Sequence, residues 1–150
     1  MTVSAKMSIE MRLATPVDLG TIHELLTDAG LPLEGVAENL HNVFLGEVGP
    51  LIVATAGVEL YAEVGLVRSV AVRSGHRGTG HGTRIVETVL QRAKSKGVRE
   101  FYLLTTTAPD FFQACGFQSV DRDDAPAAIQ TTREFMVLCP ASATLMRSSR

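Results

Sequence analysis

The sequence predicts an α/β domain (α+β in the looser sense), with helices on both faces of one mixed central sheet. β-Branched runs alternate with amphipathic stretches of helical period along the chain. Some of these runs are joined by short polar loops and others by a whole helix, and such mixed connections suit a mixed sheet. A length of 150 residues fits one compact domain with a sizeable core and leaves no room for a second.

Bulk composition narrows the function classes. Hydrophobic residues make up 45% and charged residues 20%, as in globular soluble proteins. A formal net charge of −2 gives no electrostatic footprint for nucleic acid or an anionic membrane. The apolar runs fall far short of the roughly 20 residues that span a bilayer. Met1 to Glu10 holds one Lys and no apolar stretch, so no secretory signal is expected. Residues 1–8 read as a flexible leader, with Met7 available as an internal start, and residues 9–150 as one domain. Cys115 and Cys139 are then expected as reduced thiols of a cytoplasmic protein rather than a disulfide.

The elements follow in order. Ile9 to Ala14 reads as a strand, and Thr15-Pro16-Val17-Asp18 is a helix-entry signature. Ile22, Leu25, Leu26 and Ala29 keep helical spacing up to Gly30. A second short helix is expected over Glu34 to Asn42, with Val36 and Leu40 inward. Strands follow at Val43 to Val48, Leu51 to Tyr61 and Gly65 to Val72, with a turn at Gly49-Pro50. Ile85, Val86, Val89, Leu90 and Ala93 form the apolar stripe of a helix from Gly82 to Lys96, closed by Gly97. Glu100 to Thr106 reads as a buried strand, and Thr107-Ala108-Pro109-Asp110 resembles a capping box for a short helix stopped by Gly116. Phe117 to Val120 is expected as a strand, Pro126 to Phe135 as a helix, and Ser142 to Arg147 as a closing strand.

The most informative stretch is Arg77-Gly78-Thr79-Gly80-His81-Gly82, between a strand and a helix. A glycine-rich turn at a helix N-terminus gathers backbone N–H groups at the positive end of the helix dipole, and glycine lets an anion come close. The ligand indicated is a phosphate or pyrophosphate, with Arg77 as a mobile cation; the alternative is a flexible turn that needs glycine for φ > 0. Residues 78–83 run G-x-G-x-G-x and not the dinucleotide G-x-G-x-x-G, and no Lys follows Gly82 as a P-loop requires.

That stretch matches the R/Q-x-x-G-x-G/A signature of the GNAT acetyltransferases, and the chain resembles them over most of its length. "LVRSVAV" before the loop, the helix after it and "FFQACGF" after the next strand fall at family-like spacing. "LLTTTAPDFFQACGF" with "AAIQTTREFMVLCPASATLMR" looks more narrowly like the GNAT proteins encoded with arsenic-resistance genes, themselves similar to short N-acetylglutamate-synthase-type amino-acid acetyltransferases. The resemblance implies a mostly antiparallel sheet, acetyl-CoA as co-substrate and an amine as acceptor. It implies that Arg77, Gly78, Thr79, Gly80, His81, Gly82 and Thr83 hold the pyrophosphate, and that backbone groups of Val70, Ala71 and Val72 bind pantetheine and polarise the acetyl carbonyl. It also allows a homodimer.

Many relatives place a proton-donating tyrosine where this chain has Phe112, which can pack on pantetheine but gives no proton. Water or the substrate's own proton then serves, since a thiol of pKa about 8.5 is a fair leaving group. Cys115, close by, reads as a buried inert thiol, with acid or nucleophile as the alternative.

Glu59, flanked by Val58 and Leu60, is the candidate base. If Tyr61 and Leu66 close the hairpin it stands directly opposite Arg68; a shorter loop makes the contact diagonal. The competing reading is a structural ion pair or a solvent face. Glu47 and Glu63 are weaker candidates. Arg68 can clamp a carboxylate in bidentate geometry, which points to an acceptor with a carboxylate beside its amine, such as glutamate or a mimic of it. Thr105, Arg133 and Ser142 are further substrate-binding candidates, while Thr107 reads as a helix cap.

The four histidines do not cluster: His23 and His41 are expected on the surface, and His76 and His81 flank the loop. No metal site is expected, and arsenic enters only through the resemblance, as an arsenic-containing amino acid like glutamate. Alternatives are another amine acceptor (an antibiotic or a protein N-terminus) and a catalytically silent acyl-CoA-binding module, which the missing tyrosine favours.

Overall fold

The computed structural model describes residues 8–133, 135–136 and 142–148. The expected leader, Ser8 excepted, and Cys139 lie outside these residues. Strand β1 (Ile9–Leu13) and a 3-10 turn (Pro16–Asp18) lead into helix α1 (Leu19–Asp28). Strands β2 (Val43–Val48), β3 (Leu51–Tyr61) and β4 (Val64–Val72) follow, then helix α2 (His81–Ser95) and strand β5 (Glu100–Thr105). Helix α3 (Pro109–Ala114), strand β6 (Gln118–Val120), helix α4 (Ala127–Gln130) and strand β7 (Thr144–Ser148) complete the order.

The seven strands hydrogen-bond in the order β1-β2-β3-β4-β5-β7-β6. The β4–β5 pair is parallel, while β1–β2, β2–β3, β5–β7 and β6–β7 are antiparallel. This is the mixed, mostly antiparallel sheet expected. Contacts divide the chain into two compact units: the residues up to Gly57 with Ser69–Thr88, and Val58–Arg68 with the residues from Val89 onward.

In the first unit α1 buries Ile22, Leu25 and Leu26 with Val36, Val43, Leu45 and Ala71. A Cβ on Gly46 would stand 2.6 Å from Ile9 Cδ1, so the end of the Ile9 side chain would have to shift. Arg12 ties β1 to the helix entry. Its guanidinium grips Asp18 with two 2.9 Å bonds and reaches Glu47 at 3.1 Å, while Asp18 also accepts the Thr15 N–H at 2.8 Å. The Arg12 bonds hold the Asp18 carboxyl well below the usual carboxylate range.

The helix expected over Glu34 to Asn42 is absent. Turns occupy most of it, and only Leu40–Asn42 forms a 3-10 turn. Gly35 sits at φ +87°, which breaks an α-helix, and so short a segment nucleates poorly. Val36 is nevertheless buried and Leu40 packs on the same cluster, so the apolar spacing marked core contacts correctly.

In the second unit Leu66, Tyr102, Ala125, Ile129 and Leu145 form a core on which Tyr61, Val64, Leu104, Val120 and Phe135 pack. Burial pushes the Tyr102 phenol up. The helix expected over Pro126 to Phe135 forms over Ala127–Gln130, is interrupted by a turn at Thr131-Thr132, and has helical backbone again at Arg133 and at Phe135 and Met136. Beyond it, Thr132 Oγ1 accepts the Phe135 N–H at 3.1 Å. Among the described residues no helix is long and apolar enough to cross a membrane.

Candidate active site

Two sets of groups are built from the expected residues. The first is the loop from β4 to α2. Gly75, Gly78 and Gly80 have φ of +91°, +78° and +88°, and a Cβ on any of them would meet no atom within 4 Å. Glycine is therefore required by torsion and not by crowding. The Gly80 carbonyl accepts the Arg84 N–H at 3.1 Å, which makes Gly80 the cap residue of α2. A glycine cap brings no side chain to occupy the first-turn N–H groups of His81, Gly82 and Thr83. The first turn of this 15-residue helix also carries no acidic residue. The result is a main-chain donor cluster at a positive helix end, suited to an anion. Arg77 Nε donates to the Val72 carbonyl at 2.8 Å and Thr79 Oγ1 to the His76 carbonyl at 3.0 Å, bracing the loop.

Upstream of the loop, β4 pairs β5 only at Val64↔Glu100, Gly65↔Phe101 and Leu66↔Tyr102, although it runs on to Val72. Ser69, beyond that ladder, adopts φ +60° and is buried. A residue with a side chain in this left-handed conformation is strained, and such strain collects at functional sites. Val70 and Val72 are half-buried, and Ala71 is buried in the α1 core.

The second set lies on β3 and β4. Arg68 Nη1 donates to Glu59 Oε2 at 2.6 Å. The Tyr61 hydroxyl donates to the other oxygen, Glu59 Oε1. The Arg68 side chain is 4% exposed and the Glu59 side chain 18%. Tyr61 does not close the hairpin with Leu66. The strands end at Tyr61 and Val64, joined by Ala62-Glu63 with Ala62 at φ +58°. The loop is thus shorter than one closed by Tyr61 and Leu66, and Glu59 meets Arg68 across neighbouring strands. Tyr61 was not singled out from the sequence. The signal was its place two residues after Glu59, hence on the same face of the strand.

The other candidates are placed as follows. Thr105 is buried, and its Oγ1 accepts the Ala108 N–H at 3.1 Å, bracing the start of α3. Thr107, expected as the cap, is not: Ala108 is the cap residue and makes no side-chain bond. Phe112 is buried edge-on to Phe111 (4.9 Å between centroids) and Phe117 (6.2 Å). Cys115 is buried at the end of α3. Arg133 and Ser142 are exposed, and neither bonds to Glu59. Glu47 is engaged by Arg12, and Glu63 sits exposed in the hairpin turn. Among the described residues no three His, Cys, Asp or Glu side chains gather as a metal set.

The sequence profile of the acetyltransferase (GNAT) domain matches residues 39–119, and the chain belongs to that family. Within it the chain resembles proteins named amino-acid acetyltransferase. The one from Pasteurella multocida is 29% identical over 133 residues, 83% of this chain and 30% of that protein. The one from Aeromonas salmonicida is 28% identical over 130 residues, 81% of this chain and 29% of that protein. The chain thus spans about 30% of the length of these curated relatives.

Among solved structures, N-acetylglutamate synthase from Neisseria gonorrhoeae, complexed with coenzyme A and N-acetyl-glutamate, matches with a TM-score of 0.82. Sequence identity there is 18%, over 95% of this chain and 35% of that one. A Mycobacterium tuberculosis protein in complex with CoA matches with a TM-score of 0.80 at 20% identity, covering 94% of this chain and 99% of that one. At these identities the likeness is one of fold.

Proposed function

We propose that this chain is an acetyl-CoA-dependent N-acetyltransferase for the α-amino group of a small acidic, glutamate-like amino acid. The observation that carries the choice of acceptor is the Arg68–Glu59 pair, a guanidinium and a carboxylate set 2.6 Å apart on neighbouring strands. An amino acid presents the complementary pair, a carboxylate beside an ammonium. The naming of the relatives as amino-acid acetyltransferases, and the coenzyme A and N-acetyl-glutamate in the Neisseria complex, support the same reading.

The residues present suit acetyl-CoA. Its pyrophosphate would take the N–H groups of His81, Gly82 and Thr83, with Gly78 and Gly80 keeping the approach clear of side chains and Arg77 and Thr79 at its rim. Backbone groups of Val70, Ala71 and Val72 would serve pantetheine and the acetyl carbonyl, and the family resemblance alone gives Phe112 an apolar contact to the co-substrate. Arg68 would hold the acceptor carboxylate, helped by the hydroxyls of Thr105 and Ser142 and by Arg133.

The acceptor ammonium gives one proton to Glu59, and the neutral nitrogen attacks the thioester carbon. The C–N bond forms, the tetrahedral oxyanion collapses, and the C–S bond breaks. Phe112 offers no proton, so the second proton of the attacking nitrogen passes to the departing sulfur, directly or through water, leaving a neutral amide and a thiol. Glu59 returns its proton to solvent through its exposed edge. The acceptor class includes an arsenic-bearing analogue of glutamate, which rests on the resemblance of residues 103–117 and 127–147 alone.

A thiol-release assay with purified protein, acetyl-CoA and a panel of glutamate, its arsenic-containing and phosphorus-containing mimics, neutral amino acids and simple amines tests this. Glutamate-like acceptors are expected to lead. Arg68→Ala is expected to raise their KM by roughly 10- to 100-fold, the loss of a charged hydrogen bond. Wild-type turnover by Arg68→Ala sinks the carboxylate clamp, and CoA binding without turnover on any amine points to a silent module.

A further inference from the structure

We propose that Tyr61 is a positioning residue for Glu59: its hydroxyl fixes the carboxylate plane so that the amine meets a lone pair. The inference rests on the reading of Glu59 as the base. A glutamate side chain turns about several bonds, and one contact to Arg68 would hold a single oxygen while the other swings. Here each oxygen has its own donor, Arg68 Nη1 on Oε2 and the Tyr61 hydroxyl on Oε1.

These are the partners of Glu59 among the described residues. An ionised carboxylate offers about four lone-pair sites, so each oxygen keeps one for the acceptor. Tyr61 itself is anchored. Its ring packs on the core of Leu66, Tyr102, Ala125, Ile129 and Leu145, leaving the hydroxyl as a fixed point. A neutral phenol directs the carboxylate without adding a second cation beside it.

The test is a double-mutant cycle in steady-state thiol release at saturating acetyl-CoA. Tyr61→Phe keeps the ring in its core and removes the hydroxyl. Its kcat is expected to fall about ten-fold, with the KM for acceptor within about two-fold, since misplacing a base mainly harms the reacting step. In a Glu59→Gln background the same change should alter kcat by less than about two-fold, because the hydroxyl acts through the carboxylate. Placing 4-aminophenylalanine at position 61, which restores an N–H donor, should recover most of the loss.

Equal losses from Tyr61→Phe in both backgrounds, or no recovery with the amino analogue, overturn the positioning role. A Glu59→Gln protein with unchanged kcat instead overturns the base assignment, and the inference with it.

Discussion

Arg68, with 4% of its side chain exposed, is joined at 2.6 Å to Glu59, whose side chain is 18% exposed. Removing either partner leaves the other a poorly solvated charge. Glu59→Gln and Arg68→Met should each destabilise the fold, and the double variant should be more stable than the sum of the two by about 1–3 kcal/mol. Urea unfolding of the four proteins measures the coupling. Simple additivity would show that the pair carries no net interaction.

The loop glycines should matter for one substrate only. Gly78→Ala and Gly80→Ala force a Cβ into left-handed conformations at about 1 kcal/mol each, and relaxation of that strain turns the N–H groups. The KM for acetyl-CoA is expected to rise about ten-fold by way of the displaced donors, with the acceptor KM unchanged. Gly20, in α1 with open space around it, is the control: Gly20→Ala should add about 0.5–1 kcal/mol of stability and leave both KM values alone.

Ser69 tests whether its left-handed backbone within β4 is strained. A β-branched residue resists φ near +60° far more than alanine does, and both substitutions remove the hydroxyl. Ser69→Val should therefore be less stable than Ser69→Ala by about 1–3 kcal/mol, read from thermal or urea unfolding.

Acid stability should depend on Asp18. Its folded carboxyl is held below the ordinary value by the Arg12 bonds, so its contribution is complete above the unfolded pKa of about 3.9 and is lost as pH falls toward the depressed one. Unfolding free energy of the wild type should decline steeply below about pH 4. Asp18→Asn, lacking that group, should start lower at neutral pH and show a flatter decline.

Much of the fold was legible because it is written in short-range patterns. The β-branched run Leu51 to Tyr61 and the stripe from Ile85 to Ala93 have unambiguous periods, and both elements stand where expected. Glu34 to Asn42 failed because two inward residues at helical spacing are equally served by turns that Gly35 permits. Thr105 carries a local bond that the sequence did not show. Its hydroxyl is used three residues on, at Ala108, a local bond that spacing alone did not separate from the cap expected at Thr107.

The candidate site was legible where residue type limits torsion, as at Gly78 and Gly80, and where a charge stands in an apolar strand, as at Arg68. Tyr61 escaped because a tyrosine near a hairpin end reads as an ordinary strand residue until its hydroxyl has a direction.

The α2 entry stores its specificity in dihedral angles. On the proposed reading, a ligand would meet there a set of main-chain donors whose aim depends on the sign of φ at Gly78 and Gly80, and hardly on the letters at Thr79 or His81. Such a site tolerates drift in most of its own sequence and fails abruptly at two positions.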